Sequence, residues 1–97
     1  MKKFIKGAFE LDQNVINLED YEAKHKTAIE EIIAWANHYD IGINMGTADD
    51  NTYLIEYKIV GKTKSFCNGL LAELKSMLKE EWAKISLVWQ GSGDVLW

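Results

Sequence analysis

A chain of 97 residues with 47% hydrophobic and 11% aromatic content suits one domain with a packed core, and no apolar run approaches the ~20 residues that cross a bilayer. The net charge of −4 argues against a nucleic-acid binder held by phosphate neutralisation, and because all 11 basic residues are lysine, no bidentate guanidinium clamp can form. A single cysteine, Cys67, rules out an internal disulfide framework.

The opening Met1–Gly7 is basic and then apolar, but it has neither an apolar core of ~7 residues nor a small-residue cleavage site. It reads as the start of a first strand over 3–11, with Ile5, Phe9 and Leu11 on one side, and the expected location is the cytoplasm. Asp12-Gln13-Asn14 reads as a turn. Asn17 is a good N-cap, with Glu19, Asp20 and Glu22 following it in the positive first turn of a helix. Apolar and aromatic positions then step through Leu18, Tyr21, His25, Ala28, Ile32, Trp35 and Tyr39, widened by Ile29, Ile33 and Ala36. That spacing predicts one continuous amphipathic helix of about six turns.

Ile41, Ile43 and Met45 alternate with small or polar residues, and Tyr53, Ile55, Tyr57 and Ile59 alternate with Leu54, Glu56, Lys58 and Val60. The polar segment Gly46–Asn51 between them completes a β-hairpin. Thr63 or Ser65 caps a second helix with the stripe Phe66, Leu70, Leu74, Met77, Leu78 and Trp82. Ile85, Leu87 and Trp89 form the last strand, Gln90–Asp94 reads as a flexible hinge, and Val95-Leu96-Trp97 ends as a short apolar tail.

The order β-α-β-β-α-β predicts a single α+β domain of ferredoxin-like type over 1–97: a four-stranded antiparallel sheet in the order 4-1-3-2 with both helices on one face. The helix-facing set would be Ile5, Phe9, Ile43, Ile55, Tyr57, Ile59, Ile85, Leu87 and Trp89. Lys6, Ala8, Glu10, Asn44, Glu56, Lys58, Ser86 and Gln90 would form a solvated opposite face, with Leu54, Val60 and Val88 its only sizeable apolar members.

Each candidate site has a simpler structural reading. The acylphosphatase reaction needs an arginine in a glycine-rich loop after the first strand, and this chain has none. His25 and His38 stand thirteen apart on one helix, roughly 220° around it, so they cannot share a site in one monomer. Cys67 could be activated by the start of the second helix, but no base can be placed beside it and a small hydrophobe is the better reading. Asp49-Asp50-Asn51 lacks the further ligands of a calcium loop and reads as a turn. No catalytic, metal or cofactor site is expected.

Charge is the one feature with direction. The topology gathers Glu10, Asp12, Glu19, Asp20, Glu22, Asp49 and Asp50 at one end, and Lys2, Lys3, Lys62 and Lys64 with the tail at the other. The expected function is a small acidic protein-binding module whose acidic end, with Trp97 as a further anchor, occupies a basic groove on a nucleic-acid-handling protein. Phage- or mobile-element-encoded inhibitors and immunity-type proteins have this profile, and the arginine-free usage suits a low-GC bacterium or its phage. The expected partner is a protein, without direct contact to nucleic acid or membrane, and the expected state is a monomer or weak homodimer. The alternative is a small-ligand or minor enzymatic domain with an aromatic pocket of Tyr21, Trp35, Tyr57 and Trp89 at the helix–sheet seam.

Overall fold

A computed structural model describes residues 1–96. The elements are β1 (Lys3–Asp12), α1 (Leu18–Lys24), α2 (Lys26–His38), β2 (Gly42–Thr47), β3 (Tyr53–Gly61), α3 (Lys64–Glu81) and β4 (Ser86–Asp94). The four strands form one antiparallel sheet in the order β2-β3-β1-β4, which is 4-1-3-2 read from the opposite edge. Helices α2 and α3 pack on it and α1 packs against α2, so the described residues form an α+β fold. Among the described residues, no helix is long and apolar enough to cross a membrane.

Side-chain alternation builds the core. Along β3, Tyr53, Ile55, Tyr57 and Ile59 are buried between exposed Glu56 and Lys58. Opposite them on β1, Ile5, Phe9 and Leu11 face the same way. Helix α3 covers β1 and β3 with Cys67, Leu70, Leu71, Leu74 and Leu78. Helix α2 adds Ile32 and Ala36 and packs on β2. The Thr63 hydroxyl starts α3 by accepting from the Phe66 N–H at 3.0 Å. Phe66, expected on the core stripe, is exposed, and Cys67 takes that place.

Three expectations are corrected. The first concerns the long helix, which divides at His25 into α1 and α2. His25 sits at φ −105°, ψ 18°, although its N–H still reaches the Tyr21 carbonyl and its own carbonyl still accepts from Ile29. The bend falls where the imidazole reaches across to the end of α3, pairing with Glu81 and stacking on Trp82.

The second concerns the register of the last strand. Leu87 pairs with Phe9 but Trp89 pairs with Ala8, so Val88 is a bulge with no partner on β1. One inserted residue reverses every later side chain. Trp89 therefore lies on the sheet face away from the helices, and Gln90 lies on the helix side, where the Tyr57 hydroxyl donates to its Oε1 at 3.3 Å.

The third concerns the expected hinge. Gln90–Asp94 is ladder, paired with Lys3–Gly7. Glycine at 93 lets the Phe4 ring lie close over the strand, where a Cβ would stand 3.3 Å from it. Beyond the strand, the Val95 N–H donates to the Lys2 carbonyl at 2.8 Å.

Candidate functional site

The antiparallel sheet turns sequence order into a charged end. The end of β1 brings Glu10 and Asp12, the turn between β2 and β3 brings Asp49 and Asp50, and α1 brings Glu19, Asp20 and Glu22. Two bonds tie these pieces together. The Val15 N–H, in the loop before α1, donates to the Asn51 carbonyl at 2.8 Å, and the Tyr53 hydroxyl donates to Glu22 Oε2 at 2.8 Å.

Local chemistry holds several of the carboxylates in place. Asp12 accepts from the Gln13 N–H at 2.9 Å and Glu10 from the Gln13 side chain at 3.1 Å. Asp50 accepts from the Thr52 N–H at 3.1 Å, and hydrogen bonding from the Thr52 side chain first and its N–H second lowers the Asp50 pKa, while Asn51 takes the left-handed conformation that closes the turn, at φ 64°. The Asn17 side chain caps α1 by accepting from the Asp20 N–H at 3.0 Å.

Among the described residues, none of these seven carboxylates is ion-paired. The ion pairs present are Lys3–Asp94, His25–Glu81 and Lys26–Glu30. An end that gathers this many carboxylates attracts a cation brought from outside. Beside them lies an open hollow of about 420 Å³ lined by Glu10, Leu11, Asp12, Gln13, Lys84 and Ser86. Trp97, expected as an anchor at the tail, lies outside the described residues.

Beneath the acidic end sits a polar–aromatic cluster that the sequence does not display. The Trp82 indole N–H donates to the Tyr21 hydroxyl oxygen at 2.6 Å. His25 Nδ1 lies 2.5 Å from Glu81 Oε2, and the Tyr21 ring contacts both His25 and Tyr53, with centroids 4.6 and 4.7 Å apart. Burial pushes the Tyr21 hydroxyl up to about 12, with the charges of Asp12 and Glu81 adding to it and the Trp82 N–H opposing it. Tyr53 is raised too, by burial and then by Glu22. Glu81 thus adds an eighth carboxylate near this end, already partnered. Its position is legible only once α3 is laid beside α1.

The aromatic pocket does not form. Trp35 packs on Tyr39 and donates to Glu73, Tyr57 stacks on Phe9, and Tyr21 belongs to the cluster just described. Trp89 is across the sheet. Cys67 is buried, its Sγ lies 3.7 Å from the Lys3 carbonyl oxygen, and burial pushes the thiol pKa up. That is the opposite of an activated thiolate. Among the described residues, no three His, Cys, Asp or Glu side chains stand together as a metal site.

At the opposite end, Lys3 pairs with Asp94 and lies across from Gly61 in the ladder, so Lys2, Lys3, Lys62 and Lys64 gather there. The molecule therefore carries opposite charges at the two ends of its strands. No protein-family model and no curated protein matches this chain.

Proposed function

We propose that this chain is a ferredoxin-like domain with its first helical arm bent in two, acting in the cytoplasm as a small protein-binding module rather than an enzyme. Its target is a basic, nucleic-acid-handling protein whose groove the acidic end occupies, in the manner of an inhibitor or immunity protein carried by a phage or mobile element. The observation that carries this reading is the group of seven carboxylates without an ion pair, delivered by three separate chain segments to one end. Acidic surfaces of this kind steer basic partners at long range and compete with phosphate for the same lysines and arginines.

The mechanism is steric and electrostatic. Turn and cap bonds hold Asp12 and Asp50 in fixed directions, so little side-chain entropy remains to be lost when a partner arrives. Capture from a low-GC bacterial lysate, by the wild-type chain and by a variant with Asp12, Asp20, Asp49 and Asp50 all changed to Asn, tests the reading. The expected result is one stoichiometric basic protein, retained by wild type at low salt and absent from the variant. Equal capture by both chains refutes it.

A further inference from the structure

Strand β4 is an edge strand that the helices leave uncovered. Helix α2 packs on β2, and α3 packs on β3 and β1, while β4 continues the sheet beyond them. Every residue of β4 except half-buried Gly91 is exposed. Leu87, Val88 and Trp89 are 53%, 54% and 44% exposed, three consecutive large apolar residues that together wrap both faces and the rim of one edge. No charge interrupts the chain between Lys84 and Asp94. Natural edge strands are usually blunted by a lysine, a proline or a covering element. Here the bulge at Val88 is the single such device, and from Trp89 to Asp94 the pairing to β1 runs without interruption.

We propose that this edge is covered by a second copy of the same chain, β4 against β4, antiparallel about a two-fold axis, giving one continuous eight-stranded sheet. Charge selects this occupant and this direction. The edge strand itself runs from Lys84, just before its start, to Asp94 at its end; on β1 behind it, Glu10 and Asp12 lie beside that start and Lys3, already paired with Asp94, lies beside that end. A nine-residue strand separates these groups by roughly 30 Å. Antiparallel pairing turns the Lys84 end of each edge strand toward the Asp94 end of the other, twice by symmetry. A parallel arrangement would set like ends together.

Shape agrees with charge. Trp89 lies on the same sheet face as Gly91, where no atom stands within 4 Å of an added Cβ, so room is left for the ring of the facing copy to lie across the backbone. The turn carrying Asp49 and Asp50 stands away from this edge, because β3 and β1 lie between β2 and β4. The dimer thus leaves most of the acidic end open. The inference does not rest on that end having a partner.

Sedimentation of the full chain over a concentration series tests it, with wild type compared to Val88→Lys and Trp89→Lys. The wild type should reach twice the 11.1 kDa chain mass, and both variants should sediment as single chains with unchanged circular dichroism. Amide exchange read alongside should slow with concentration at residues 87–93 in the wild type. A wild type that stays at the single-chain mass at the highest soluble concentration overturns the proposal. So does a dimer that survives both lysines with β4 amides exchanging at the same rate at every concentration.

Discussion

The Tyr53 hydroxyl, at the first position of β3, donates to Glu22 Oε2 on α1 at 2.8 Å, joining the hairpin to the helix across the acidic end. The donor is fully buried at the ring and the acceptor carries a charge. Tyr53→Phe leaves that carboxylate half-buried without its donor, and a lost bond to a charged group is worth about 1.5–3 kcal/mol. Urea unfolding should show a lower midpoint with an unchanged slope, since the surface exposed on unfolding stays the same.

The same cluster sets the alkaline limit. Tyr21 is pushed up to about 12 from an ordinary value of 10.0, and Tyr53 is raised as well, in both cases mainly by burial. The folded chain therefore holds these protons where the unfolded chain releases them. Their contribution is complete below pH 10 and is lost as the pH rises toward 12. Stability measured by denaturant should begin to fall near pH 9, where the unfolded Cys67 thiol ionises but the buried one does not, and fall more steeply above 10 as the tyrosines follow. A double variant, Tyr21→Phe with Tyr53→Phe, should start lower and show a flatter alkaline limb.

Gly7 is required by a close approach. A Cβ at that position would lie 2.5 Å from the Trp89 carbonyl oxygen and 2.6 Å from the Tyr57 hydroxyl. The first contact is backbone, so a rotamer change cannot relieve it. Gly7→Ala should destabilise by about 2 kcal/mol or more through overpacking, read as a lower thermal midpoint. Gly46→Ala, with no atom within 4 Å of the added Cβ, is the control and should change stability by under about 0.5 kcal/mol.

The two helix faces differ in what they bury. Leu74, on α3, is 0% exposed at the centre of the core, whereas Ile33, which also fits the amphipathic pattern, is 46% exposed. Leu74→Ala should cost ~2–5 kcal/mol from lost transfer energy and a residual cavity. Ile33→Ala should cost less than about 1 kcal/mol, since little area returns to water. Chemical denaturation of both variants checks the contrast.

Much of this architecture is legible in the residues because it rests on local periodicity. The alternation Tyr53, Ile55, Tyr57, Ile59 and the stripe Leu70, Leu74, Leu78 each survive into the structure unchanged. What escapes is set by long-range contacts. The apolar alternation Leu87, Trp89 looks unbroken, and only the ladder to Ala8 and Phe9 reveals that Val88 is inserted between them. Gly91-Ser92-Gly93 has the composition of a hinge, and it becomes strand because Lys3–Lys6 on β1 offers a free edge to pair with. The bend at His25 depends on Glu81 and Trp82, more than fifty residues away.

The acidic end was partly readable for the same reason. Its carboxylates lie in turns and at a helix start, where composition alone points to them. Its ties, Val15 to Asn51 and Tyr53 to Glu22, join segments distant in the chain and carry no local pattern.

The measurement that bears most directly on the docking account is the affinity of the captured basic protein as a function of salt, for wild type and for the Asp12, Asp20, Asp49 and Asp50 to Asn variant. Asparagine keeps the acceptor oxygens that hold the turns, so the variant changes charge and leaves shape alone. The account predicts that wild-type affinity falls steeply as salt rises, with the association rate carrying much of the change. The variant should bind weakly, with a nearly flat salt profile. Equal affinities and equal salt slopes for the two chains would contradict it and remove the acidic end as the docking surface.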